Sequence, residues 1–223
     1  MLARLQRSIM LGLTFGKAPI SILFIGAHCD DIEIGCGATL LHLIENFPNA
    51  HYDWIVFSSS AERAEEALRS SETMLAGVIS KHIEIHNFQN GYFPYIGAQI
   101  KDYFELLKIQ VNPDLIFTHY LDDRHQDHRT LSKLTWNTFR DHLILEYEIP
   151  KYDGGLGSPN CFVPISQAHA DKKIANLMQC FVSEATKPWF TPATFDAMLR
   201  LRGIECNSPT GLAEAFYCKK LIL

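Results

Sequence analysis

The stretch SILFIGAHCDDIEIG, Ser21 to Gly35, decides how the chain is read. Its first half is a nearly continuous apolar run, the pattern of a strand buried on both faces. Its second half abruptly presents His28, Cys29, Asp30 and Asp31. Ionisable groups at the end of a buried strand are costly unless they are hydrogen-bonded or bind a metal. In open α/β sheets, the carboxyl ends of strands are also where ligands bind.

Working outward, strand-like and helix-like runs alternate. Thr39–Phe47 has helical apolar spacing and Tyr52–Ser58 reads as a strand. Glu62–Val78 is a charged helix with an apolar stripe, and His82–Phe88 alternates as a third strand. Gly97–Gln110 is a third helix, and Asn112-Pro113-Asp114 precedes a fourth strand, Leu115–His119. This alternation predicts an α/β fold with a mostly parallel sheet covered on both faces. Further on, Leu143–Ile149 reads as a strand, and residues 150–165, rich in Gly and Pro, as an ordered loop at the active site. Helices near Gln167–Val182 and Thr191–Leu201 and a strand at Ala213–Leu221 follow. With no repeat or linker, residues 1–223 are expected to form one domain with an N-terminal extension over 1–17.

A second cluster, His125-Gln126-Asp127-His128, follows the fourth strand. His125 and His128 lie three apart and share a helical face, and Asp127 is positioned to orient His125. His28 and Asp31 can aim at one ion, with Asp30 free to address a water. Three N/O ligands with an open fourth position describe a catalytic zinc site rather than a structural one. His119, at a strand end, stands close to this site. His42, His51, His82, His86, His142 and His169 read as surface or satisfied core residues.

Bulk properties narrow the function. The formal net charge is −5 and 47% of the 223 residues are hydrophobic. That speaks against nucleic-acid binding, which needs a basic face. Six cysteines without a C-x-x-C pair suit a reducing, cytoplasmic setting. Arg4 and Arg7 precede a short apolar run, Ile9 to Phe15, which is expected to be a short amphipathic helix on the sheet rather than a secretory signal. No run reaches the ~20 apolar residues of a membrane span, so stable membrane insertion is not expected.

With both clusters in view, Ala27-His28-Cys29-Asp30-Asp31 resembles the A-H-P-D-D signature of the PIG-L/LmbE-like N-acetylglucosaminyl deacetylases. His125-Gln126-Asp127-His128 resembles their H-x-D-H signature, and the resemblance covers residues 20–140. Ala213-Glu214-Ala215-Phe216 is similar to a segment near the end of some members. The resemblance implies a Rossmann-like fold, one divalent metal per chain (usually zinc, with iron or manganese as alternatives) and a metal-activated water that removes the acetyl group from an N-acetylated sugar or sugar conjugate. Carried over, it makes His28, Asp31 and His128 the metal ligands and Asp30 the general base. His125, as imidazolium oriented by Asp127, would stabilise the oxyanion. Arg63 is similar to an arginine that contacts sugar hydroxyls, with Arg69 a competitor.

Cys29 departs from the family's Pro. Adjacent residues point opposite ways, so its thiol is not expected to ligate, and sensitivity to oxidation is the expected consequence. Lys151, Tyr152 and Asp153 are candidate substrate contacts. Tyr92 and Phe93, and Trp189 and Phe190, stand between lining the site and ordinary packing. Two other functions compete: a non-hydrolytic sugar- or nucleotide-binding module, and a metal-dependent phosphoesterase. The first lacks G-x-G-x-x-G after its first strand, and the second ordinarily needs more carboxylate ligands. The resemblance makes a small-molecule N-acetylated sugar or sugar conjugate the expected partner and leaves a homo-oligomeric state open.

Overall fold

The computed structural model describes Gly12 and residues 14–222. The helix expected between Ile9 and Phe15 falls largely outside the described residues.

The first half alternates strand and helix: β1 (Ser21–Gly26), α1 (Asp31–Asn46), β2 (His51–Val56), α2 (Ala61–Met74), β3 (Ser80–Ile85), α3 (Gly97–Gln110), β4 (Leu115–His119) and α4 (Gln126–Thr138). Then come β5 (Leu143–Tyr147), β6 (Cys161–Pro164), α5 (Gln167–Cys180), α6 (Pro192–Glu205) and β7 (Ala213–Cys218). Among the described residues, the seven strands lie in the order β3-β2-β1-β4-β5-β7-β6. β1 pairs in parallel with both β2 and β4. β7 runs antiparallel to its neighbours β5 and β6. The chain therefore builds outward from β1 in one direction and then returns to its other side. That reversal leaves a crevice beyond the carboxyl ends of β1 and β4, the place where such sheets bind ligands.

The apolar run of β1 is buried on both faces. Ile22 and Phe24 join Tyr52, Trp54, Phe117 and Leu177 in one core, whereas Leu23 and Ile25 join Ile55, Phe104, Ile116 and Leu131 in another. Period-2 alternation distributes the strand between two helix layers, as continuous hydrophobicity requires.

Several boundaries differ from the expectations. α2 ends at Met74, and Gly77 then turns the chain at φ +84°. The third strand occupies Ser80–Ile85. The last residues of the expected loop, Cys161–Pro164, pair with β7 as a strand. Most informative is α1, which starts at Asp31 rather than Thr39 and departs from helical geometry at Cys36 (φ −146°, ψ 18°).

That break frees backbone groups inside the protein, and they must find partners. The amides of Ala38 and Thr39 donate to Glu214 of β7 at 3.0 and 2.6 Å. The carbonyl of Ile34 accepts from Lys173 of α5 at 2.7 Å, and Lys173 also pairs with Glu214 at 2.6 Å. The C-terminal half thus completes the helix that carries the first motif. Glu214→Ala leaves two amides and a buried ammonium without their acceptor. It is expected to cost about 3–5 kcal/mol in urea denaturation, and a loss below about 1 kcal/mol would contradict this role.

Candidate active site

β1 ends at Gly26, and the next turn carries His28, Asp30 and Asp31 into the crevice. The amide of His28 donates to Asp31 at 2.7 Å, fixing the turn before α1 begins. From the other side of the crevice, His125 caps α4. Its Nδ1 accepts the Asp127 amide at 3.2 Å. His128, one turn later, reaches back toward β1.

Three atoms converge. His28 Nδ1 lies 3.2 Å from His128 Nε2 and 3.3 Å from Asp31 Oδ2, and His128 Nε2 lies 3.5 Å from Asp31 Oδ2. The outer nitrogen of each ring faces its own carboxylate. His28 Nε2 is 3.3 Å from Asp127 Oδ2, and His128 Nδ1 is 3.0 Å from Asp123 Oδ2. When those outer nitrogens carry the protons, two imidazole lone pairs and a carboxylate oxygen face one point, which only a cation can satisfy. Their spacing matches the tetrahedron edge of about 3.3–3.6 Å that zinc bonds of about 2.0–2.2 Å imply. The residues therefore fit a divalent metal.

The electrostatics agree. Burial alone would lower the His28 pKa, but Asp31, Asp127 and Asp30 outweigh it and hold the ring protonated up to about 10, a proton standing where a metal cation would. Burial, with His119 next to it, pushes His128 down to about 3, so that ring is neutral and free to ligate. Burial raises Asp31, but His128, His119 and His28 together hold it well below the usual carboxylate range.

His119 belongs to the wall. Its ring stacks on His128 with centroids 3.9 Å apart. Its Nε2 lies 3.2 Å from Asp31 Oδ2, but it already accepts the Ala27 amide at 2.9 Å.

Asp30 sits beside the three converging atoms. Burial raises its pKa, against the opposing pull of Arg63. Arg63, in the first turn of α2, places Nη2 3.0 Å from Asp30 Oδ1 and Nη1 3.1 Å from Glu184 Oε1. Arg69 instead donates to the carbonyl of Cys180.

Four expectations need correction. The Asp127 carboxylate does not orient His125. It accepts the amides of Gly91 and Phe93 at 2.6 and 3.1 Å and meets His28, because the turns before α3 supply those donors. Burial, then His28, lowers the His125 pKa, so the ring favours the neutral form, with Nε2–H as its free donor. Cys29 is buried, its thiol donating to the carbonyl of Ser58 at 3.4 Å. Burial raises it to about 12, which removes the expected sensitivity to oxidation. Lys151 is committed to Asp123 at 2.6 Å and to the carbonyl of Ile149, so its ammonium is not free for substrate.

The remaining candidates divide between packing and surface. The Asp153 carboxylate accepts the Gly155 amide within its own loop. Tyr152 is exposed and stands edge-on to Trp189, with centroids 6.4 Å apart. Phe93 and Phe190 are buried, and Tyr92 is exposed. Sequence reasoning missed Asp123 and Glu184. Asp123, two residues before His125, had a signal in its position; Glu184, in a short helical turn after α5, had none.

A family model described as PIG-L, GlcNAc-PI de-N-acetylase, matches residues 23–139. The uncharacterized deacetylase YaiS of Escherichia coli K12 is 30% identical over 165 residues, 70% of this chain and 88% of its own. The chain belongs to the PIG-L deacetylase family. It is an amide hydrolase of that class. Among solved structures, the N,N'-diacetylchitobiose deacetylase of Pyrococcus horikoshii shares the fold, with TM-score 0.65 and 17% identity over 90% of this chain and 84% of its own. So does GalB, the 4-carboxy-2-hydroxymuconate hydratase of Pseudomonas putida, with TM-score 0.72 and 16% identity over 91% and 97% of the two chains. Among the described residues, no helix is long and apolar enough to cross a membrane.

Because Asp123 holds the outer nitrogen of His128, Asp123→Asn is expected to weaken the binding of a divalent metal at the three-donor point about 10–100-fold with the fold intact. Competition against a chelating dye measures this, and unchanged affinity would show the contact to be incidental.

Proposed function

We propose that this deacetylase removes the acetyl group from an N-acetylglucosamine-type sugar or sugar conjugate with one zinc ion held by His28, Asp31 and His128. The observation that carries the reading is the meeting of those three donor atoms next to a buried carboxylate, Asp30, that is not itself one of them. Zinc bound there would supply Lewis acidity and a water activated at neutral pH.

The chain's own groups then divide the work. Asp30, its pKa raised by burial, takes a proton from the attacking water and returns it to the departing amine. His125 donates from Nε2 to the developing oxyanion; loss of one such donor typically costs about 10²–10³ in rate. Asp127 and Asp123 keep the rings of His28 and His128 in the tautomers that present lone pairs inward. Arg63 holds Asp30 in place and keeps its proton affinity from rising further. Tyr152 and Trp189 supply an aromatic surface for the sugar portion.

Asp30→Asn is expected to abolish acetate release from N-acetylglucosamine conjugates while retaining the crevice zinc, and His128→Ala to lose acetate release together with one zinc per chain relative to the wild type. Elemental analysis beside an acetate assay checks the pair, and a His128→Ala protein with full zinc and full activity would sink the assignment. A second test uses the charge on Arg63. Removing a cation disfavours the Asp30 carboxylate, so its pKa rises and more alkaline conditions are needed to ionise it. In Arg63→Met the acid limb of the kcat/KM profile is therefore expected to move to higher pH; a limb that stays in place or moves down contradicts the role given to Arg63.

A further inference from the structure

A second group of metal-binding side chains lies away from the crevice. His42 and Glu45 share a face of α1 three residues apart, and His169 stands in the first turn of α5. One ligand atom from each of the three lies within 4.8 Å of the others. His169 Nε2 is 3.3 Å from Glu45 Oε2. The two imidazoles meet nearly edge-on, with centroids 6.2 Å apart and planes at 81°. His169 Nδ1 is buried and has no hydrogen-bond partner. From Asp31 to His42 the helix advances roughly 16 Å, so the group sits well removed from the crevice.

We infer that His42, Glu45 and His169 form a second zinc-binding site, one that clamps α1 to α5. Two imidazoles and a carboxylate are the donor set of a zinc site with a position left open to solvent. The two helices are already held in register by buried contacts. Lys173, one turn after His169, reaches the Ile34 carbonyl of α1 at 2.7 Å, and a side chain at Gly37 would touch Lys173. Little rearrangement is therefore needed, and Glu45, largely exposed, is free to swing onto the ion. Bound zinc would bridge the helix bearing Asp31 and the helix bearing Lys173, stabilising the folded state by mass action.

The test is equilibrium dialysis of the full chain against micromolar zinc, with elemental analysis of wild type and His42→Ala/His169→Ala. Two zinc ions in the wild type and one in the variant, with deacetylase activity unchanged, is the expected result. One in the wild type and none in the variant would also support this site, and would instead remove the catalytic one. Equal zinc content in the two proteins overturns the inference. Thermal melts guard against misfolding: the variant should melt cooperatively without zinc, as the wild type does. Micromolar zinc should raise the wild-type midpoint more than the variant's, and equal rises would count against the clamp.

Discussion

Asp30, Asp31, Asp123 and Asp127 are each at most 6% exposed and gather around one crevice. Four carboxylates cannot be ionised together in a protein interior without compensating donors and cations. Much of the surrounding structure supplies that compensation. Asp127 takes two amides from the segment before α3, Asp123 takes Lys151 and His128, Asp31 takes the amide and the protonated ring of His28, and Asp30 has Arg63. The distances among His28, Asp31 and His128 leave one place for a further positive charge. In the proposed function, a divalent metal held by these three residues would be the last term in that electrostatic balance.

The C-terminal half extends this support. Glu214 and Lys173 satisfy the break in α1, and Glu184 holds the far side of Arg63. Arg202 of α6 pairs with Glu148 at 2.6 Å, and Glu148 in turn accepts from Tyr217 of β7 and from the Gly157 amide. These links explain why the loop after β5 is ordered although most of it is neither helix nor strand. They also show why a domain cut after α4 would leave α1 without partners for its freed backbone groups.

What the sequence disclosed follows from the range of each signal. β1 was legible because burial on both faces demands an unbroken apolar run, and the two motifs because polar side chains three apart share a turn. The kink at Cys36 was not, since its compensation comes from Glu214, far along the chain. The partner of Asp127 was misassigned for a related reason: a neighbour in sequence, His125, was preferred to Gly91 and Phe93, which only folding brings near. Lys151 looked free because the carboxylate that holds it is on another loop. Local periodicity reveals elements and turns, whereas pairings between distant polar groups require the assembled sheet.

Shared fold does not by itself select the reaction, since a deacetylase and a hydratase both superpose on this chain. The charge in the crevice is more discriminating. A nucleotide or phosphomonoester would bring a further anionic group beside four carboxylates. Arg63 is already paired with Asp30 and Glu184, and Lys151 with Asp123. A neutral amide carries no such penalty. Its oxygen becomes negative only as the reaction proceeds, when a cation at the three-donor point and the Nε2–H of His125 would, in the proposed function, be most effective. The same acidity that repels a phosphate in the ground state therefore leaves stabilisation to the transition state of amide hydrolysis.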